Sequence, residues 1–190
     1  MIRTAHGPGF TVTGHAIVSA DGMIADADGS MPPPLRNDAD FALFQAALDA
    51  ASVVVVGRLG HLRHPNPGRR RLVFTATVPD FAADAGDPLA ALYNPAGLDI
   101  ADALARMEIA MGTVAVTGGQ RVFDWFAPLY DEFMLAEVHA YALPGGIACF
   151  GDGHPRAVLA REGLKPRHVA QIDAGVTLTR WTRDDPAGAA

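Results

Sequence analysis

The stretch GTVAVTGGQRVFDWFAPLYDEF, residues 112–133, constrains this chain more than any other. A short apolar run, Val114-Ala115-Val116, leads into Thr117-Gly118-Gly119, and a polar–apolar pattern of helical period follows at once. Val122, Phe123 and Phe126 supply the apolar face, and Pro128 ends the helix. A buried strand that hands two glycines to a helix start brings bare backbone N–H groups close to whatever lies there. With the partial positive charge of the helix end, a phosphate or diphosphate is the natural guest. A tight strand–helix turn with no room for a Cβ accounts for the same glycines, and the stretch alone leaves both readings open.

The rest of the chain alternates in the same way. Residues 1–13 read as a loose lead-in, and Gly14 to Ser19 as a first strand, apolar at adjacent positions and therefore covered on both faces. After the turn at Ala20-Asp21-Gly22, Met23 to Ala25 resume briefly. An acidic loop with Pro32, Pro33 and Pro34 follows. A helix is expected from Asp38 or Asp40 to about Ala51, with Phe41, Phe44 and Leu48 at helical spacing. Four consecutive valines, Val53 to Val56, then mark a buried strand that ends in Gly57-Arg58. Residues 59–68 read as a helical turn or loop, and Arg71 to Thr75 as a strand. Residues 76–97, cut by Pro79, Pro88 and Pro95, read as an excursion with a short helix. Leu98 to Met111 reads as a helix with an apolar face at Ile100, Leu104, Met107 and Met111.

Beyond Pro128 the period changes from helix to strand. Glu132 to Leu143 reads as one long strand. Lys165 to Ile172 and Val176 to Arg183 read as a hairpin turned at Asp173-Ala174-Gly175. The pattern predicts a three-layer α/β fold over residues 1–190: a central, mostly parallel sheet with antiparallel C-terminal edge strands and helices on both faces.

A chain of 190 residues that is 49% hydrophobic buries a core of single-domain size. Its 15 basic and 21 acidic residues give a net charge of -6, which argues against a nucleic-acid binder while leaving room for a local phosphate site. Cys149 is the only cysteine, so neither an intrachain disulfide nor a cysteine metal cluster is expected. His61 and His64 stand three apart without a third ligand, and His139, His154 and His168 have no compact spacing, so no metal site is expected. No apolar run reaches membrane-spanning length, and the expected location is cytoplasmic.

Taken together, these stretches resemble the dihydrofolate reductase superfamily, and most of all the reductase domain of riboflavin biosynthesis. The residues that carry the likeness are Ala16-Ile17-Val18-Ser19-Ala20-Asp21-Gly22-Met23-Ile24, Asp40 to Phe44, Val55-Val56-Gly57-Arg58, Pro67 to Thr75, and Val116 to Phe123 closed by Pro128. Asp131-Glu132-Phe133, followed by Pro144-Gly145-Gly146 and Phe150, leans toward the riboflavin-type branch. The chain departs from folate-type enzymes at Pro32-Pro33, Ala136 and Gly60, which weighs on folate recognition more than on cofactor binding.

The resemblance implies hydride transfer from NADPH to a C=N or C=O carbon of a pyrimidine or pterin-like substrate. In that scheme Gly57, Arg58, Thr75, Thr117, Gly118, Gly119, Gln120, Arg121, Val122 and Phe123 belong to the cofactor site. Arg58 would meet the 2'-phosphate, and Ile17 and Ile24 would wall the nicotinamide. Met23, Asp40, Phe44 and Arg69 belong to the substrate site, with Asp40 as the acid. Asp40 also suits a helix cap, and Asp38 competes with it by position. The leading expectation is a riboflavin-precursor (5-amino-6-(5-phosphoribosylamino)uracil) reductase. Alternatives are a dihydrofolate or other pterin reductase and a non-catalytic NADP-binding protein on the same scaffold. A homodimer is implied by the riboflavin-type branch.

Overall fold

The computed structural model describes residues 9–184. Its strands and helices run β1 (Phe10–Ser19), β2 (Met23–Ala25), α1 (Asp38–Ala50), β3 (Val53–Gly57), α2 (Arg58–Arg63), β4 (Arg71–Phe74), β5 (Phe81–Ala83), β6 (Ala90–Tyr93), α3 (Ile100–Arg106), β7 (Gly112–Val116), α4 (Gln120–Phe126), β8 (Glu132–Val138), β9 (Ile147–Ala148), α5 (Pro155–Arg161), β10 (Leu164–Asp173) and β11 (Val176–Arg183). Nine of the strands form one sheet in the order β10-β11-β8-β1-β7-β3-β4-β6-β5. The six from β8 to β6 pair in parallel. The β10–β11 hairpin and β5 add antiparallel strands at the two edges.

The four valines of β3 show why the layers form. All are buried, and because side chains alternate across a strand they serve two different cores. Val53 and Val55 join Leu104 of α3, Phe123 and Phe126 of α4 and Leu159 of α5 on one face. Val54 packs with Ala115 and Leu48 of α1 on the other, where Val56 meets Val73 and Ala90. β1 follows the same alternation: Val12 and Val18 belong to the first core, whereas Ile17 joins Leu35, Ala136 and Val138. Gly14 is small for a steric reason, since a Cβ there would lie 2.2 Å from the Phe133 ring.

Several boundaries differ from the expected ones. β1 begins at Phe10 and pairs with β7 from there, so 10–13 are strand rather than lead-in; residues 1–8 lie outside the described residues. Residues 76–97 contain β5 and β6 instead of a short helix, because Ala90–Tyr93 pairs with β4 and buries Ala90, Ala91 and Tyr93. α3 ends at Arg106, where Glu108 turns to positive φ. Met111 is consequently exposed, and Ile109 is buried in its stead. β8 stops at Val138; the following loop is held by the Asp21 carboxylate, which accepts the Leu143 N–H at 2.9 Å, and by the Ala20 N–H on the Tyr141 carbonyl. α5 was not anticipated: Pro155 at its first position and the buried pair Val158-Leu159 define it.

Candidate active site

A cleft of about 1540 Å³ lies between α1 and the sheet face formed by Thr13, His15 and Ile17 of β1. Thr117, Gly118 and Gly119 close it at the C-terminal end of β7, and Glu132, Met134 and Arg180 continue its floor across β8 and β11. It therefore reaches the C-terminal edge of the sheet, where open α/β folds take ligands, and extends back along one face.

The Gly-Gly turn is built by its neighbours. Thr117 bonds the Val55 carbonyl through both its N–H, at 2.9 Å, and its Oγ1, at 3.1 Å. The Gly57 N–H donates to the Gly118 carbonyl at 2.8 Å. Gly118 has φ +95°, and a Cβ there would stand 2.5 Å from the Phe123 ring, so only glycine fits. A Cβ on Gly119 would instead point into open space. The Gly118–Gly119 peptide is cis. No side chain caps α4, whose first N–H groups have no acceptor within the helix. Val122 and Phe123 bury their side chains in the core and donate their N–H groups to Gly119, so they form the floor of the turn. Arg58, next to Gly57, and Arg121, in the first turn of α4, are exposed and outside the cleft lining, and neither guanidinium has a protein partner among the described residues. Gln120 opens α4 and is half-buried.

Across the cleft, Asn37 caps α1 by accepting the Asp40 N–H at 2.9 Å. The capping role therefore belongs to Asn37, and the half-buried Asp40 carboxylate makes no hydrogen bond among the described residues. Burial without a compensating donor pushes its carboxyl up to about 6. Asp38, two residues earlier, is exposed on the cleft rim. Phe44 lies one turn after Asp40 and meets His15 edge to face, with ring centroids 6.0 Å apart. Arg69 also lines the cleft, but its guanidinium is held by Asp49 at 2.6 and 2.9 Å, by Gln45 Oε1 at 2.9 Å and by Asn66 Oδ1 at 3.0 Å.

Of the expected site residues, the cleft thus gathers Asp40, Phe44, Ile17, Arg69, Thr117, Gly118 and Gly119. Met23 and Ile24 stand apart in β2, which pairs with β9, and Ile24 packs on the main core. Thr75 follows β4 outside the cleft, its Oγ1 2.9 Å from that of Thr77. Among the polar residues of the cleft that were not anticipated are His15, Glu132 and Arg180. His15 had a sequence signal, a lone imidazole in an otherwise apolar strand. Nothing local shows that its side of β1 is left open. Burial lowers its imidazole to about 4, against the opposing pull of Glu132.

No family model and no curated protein matches the chain. Solved structures do. Dihydrofolate reductase from Enterococcus faecalis, in complex with NADP(H), superposes with a TM-score of 0.64 at 18% identity, covering 92% of this chain and 97% of that one. A protein from Shewanella sp. PV-4 described as one of riboflavin biosynthesis gives 0.62 at 19%, covering 92% and 99%. The diaminohydroxyphosphoribosylaminopyrimidine deaminase/5-amino-6-(5-phosphoribosylamino)uracil reductase of Thermotoga maritima gives 0.63 at 16%, covering 92% of this chain and 57% of that one. With its parallel centre, its antiparallel C-terminal edge and its flanking helices, the chain has the dihydrofolate reductase-like fold.

Proposed function

We propose that this protein is an NADPH-dependent reductase that delivers a hydride to a C=N or C=O carbon of a substrate built on a planar nitrogen heterocycle. The observation that carries the proposal is the meeting, in one cleft, of a bare Gly118-Gly119 backbone and a desolvated carboxyl on Asp40. The residues present fit a dinucleotide phosphate: Gly119 leaves its side-chain direction open, and Arg58 and Arg121 are free to pair with anions. Bound there, the nicotinamide would supply a hydride. The protein's own part is positioning, exclusion of water and delivery of a proton. Ile17 and Phe44 give apolar walls. Asp40, ordinarily ionised at neutral pH, retains its proton to about pH 6 and can pass it to the nitrogen of an imine as the neighbouring carbon is reduced.

The riboflavin-precursor 5-amino-6-(5-phosphoribosylamino)uracil is the substrate we favour, on the riboflavin-type signature at Asp131-Glu132-Phe133 and the reductase named among the similar structures. Dihydrofolate or another pterin is the second reading, supported by the position of Asp40 in the cleft. A non-catalytic NADP-binding protein is the third. NADPH oxidation followed at 340 nm across a panel of aminouracil ribotides, dihydrofolate and dihydropterins tests all three. Turnover of one class assigns the substrate. Tight NADPH binding without turnover of any would leave only the third reading.

A further inference from the structure

His15 lines the cleft from the sheet, and its ring nitrogens have no protein hydrogen-bond partner among the described residues. It lies at the middle of β1, opposite Met134 in the register with β8, with Phe44 of α1 against its ring. A half-buried polar side chain in an apolar strand is destabilising unless something satisfies it. The other charged or titratable side chains that line the cleft are Glu132 on β8, Arg180 on β11, Asp38 and Asp40 on α1, and Arg36, Arg63, His64 and Arg69. Glu132 alone acts on His15 electrostatically, and it favours the imidazolium. Its carboxylate is, however, taken by Arg180 in a two-pronged ion pair, with the Arg180 Nε 3.3 Å from Oε2 and the second prong on Oε1.

We propose that His15 is a substrate-contacting residue of this cleft, presenting one ring N–H and one bare ring nitrogen to the edge of a planar heterocycle. We assign the Arg180–Glu132 pair the role of positioning residues that hold the Glu132 carboxylate away from the imidazole. A neutral imidazole carries one donor and one acceptor. The edge that complements it has an acceptor beside a donor, as the C=O and N–H of a lactam or ureide do. A wholly apolar ring offers neither. The inference rests on the reductase reading for the identity of the ligand but not for the geometry.

The test uses the whole chain saturated with NADPH and 15N-labelled at histidine. The His15 ring nitrogens are followed by NMR as 5-amino-6-(5-phosphoribosylamino)uracil or dihydrofolate is added, and steady-state constants are measured for whichever is reduced. We expect the His15 signals to move with that compound. In His15→Ala its KM should rise about tenfold with kcat changed less, the loss of one hydrogen bond from a desolvated site. His15→Gln, which keeps a donor and an acceptor, should recover most of the loss. In Arg180→Gln the freed Glu132 should raise the His15 titration midpoint from about 4 toward its ordinary value, with folding intact because Arg180 is exposed. Turnover with unmoved His15 signals, or an unaltered KM in His15→Ala, overturns the contact and leaves the reductase reading in place. Signals that move while no NADPH is consumed do the reverse. An unchanged midpoint in Arg180→Gln overturns the positioning role alone.

Discussion

The Gly57 N–H donates to the Gly118 carbonyl at 2.8 Å, joining the end of β3 to the Gly-Gly turn. The turn is therefore held at a fixed distance from Arg58, the next residue, and its two glycines have different reasons to be glycine. Gly118→Ala drives a methyl to 2.5 Å from the Phe123 ring at a φ of +95°. It should destabilise by roughly 2–4 kcal/mol in denaturant unfolding. Gly119→Ala meets nothing of the protein, so its stability should change by less than about 1 kcal/mol. Its NADPH affinity should nevertheless fall about tenfold or more by fluorescence titration, because the methyl fills the space a phosphate needs. NADPH binding by Gly119→Ala equal to that of the parent would place the cofactor elsewhere.

Arg58 and Arg121 are exposed and unpaired among the described residues, so alanine at either position should leave stability within about 0.5 kcal/mol. If Arg58 meets the 2'-phosphate, Arg58→Ala should weaken NADPH about tenfold or more and leave NADH nearly unchanged. Arg121→Ala should weaken both, through the shared diphosphate. Equal losses for the two cofactors in Arg58→Ala would reject the 2'-phosphate assignment.

Asp40 has no structural duty that a neutral amide would disturb, since Asn37 is the cap. Asp40→Asn should lower turnover about a hundredfold, within the range of a lost general acid, with NADPH affinity unchanged. In the parent, kcat should fall as pH rises through about 6, where the carboxyl loses its proton. A flat profile between pH 5 and 8 would remove the acid role.

Stability should follow the opposite displacements of one carboxyl and one imidazole. The Asp40 carboxyl binds its proton more tightly folded than unfolded, so its contribution to stability is lost as pH rises from about 4 to about 6. The His15 imidazole binds its proton less tightly when folded, so its contribution is lost as pH falls from about 6.5 to about 4. In the parent the two trends largely cancel between pH 4 and 6. Asp40→Asn should expose the His15 slope and become less stable as pH falls; His15→Gln should expose the Asp40 slope and become more stable as pH falls. Each slope is bounded at ~3 kcal/mol across the window. Parallel stability–pH curves for the two variants would contradict these environments.

Much of the fold was legible because its signals are local. The valine run of β3, the glycine pair before α4 and the Asp173-Ala174-Gly175 turn each specify backbone conformation within a few residues. The boundaries that shifted were decided by partners far along the chain. Ala90–Tyr93 becomes a strand because β4 offers it a free edge. The strand reading at 139–143 gives way because Asp21 and Ala20 claim the Leu143 N–H and the Tyr141 carbonyl.

The functional site divides in the same way. Local chemistry was enough to show that a glycine turn would follow a buried strand with an arginine at the end of its neighbour, and that an acid would begin the helix after the proline loop. The cap is local too, since Asn37 accepts the Asp40 N–H three residues on. Long-range packing decided that the Asp40 carboxyl is left in a cleft with no donor among the described residues. It also decided that Arg69 is already held by Asp49, and that the Thr13-His15-Ile17 side of β1 stays open beside Glu132 and Arg180. Alternation along a strand says which residues share a face. Whether a helix comes to cover that face depends on where the rest of the chain packs.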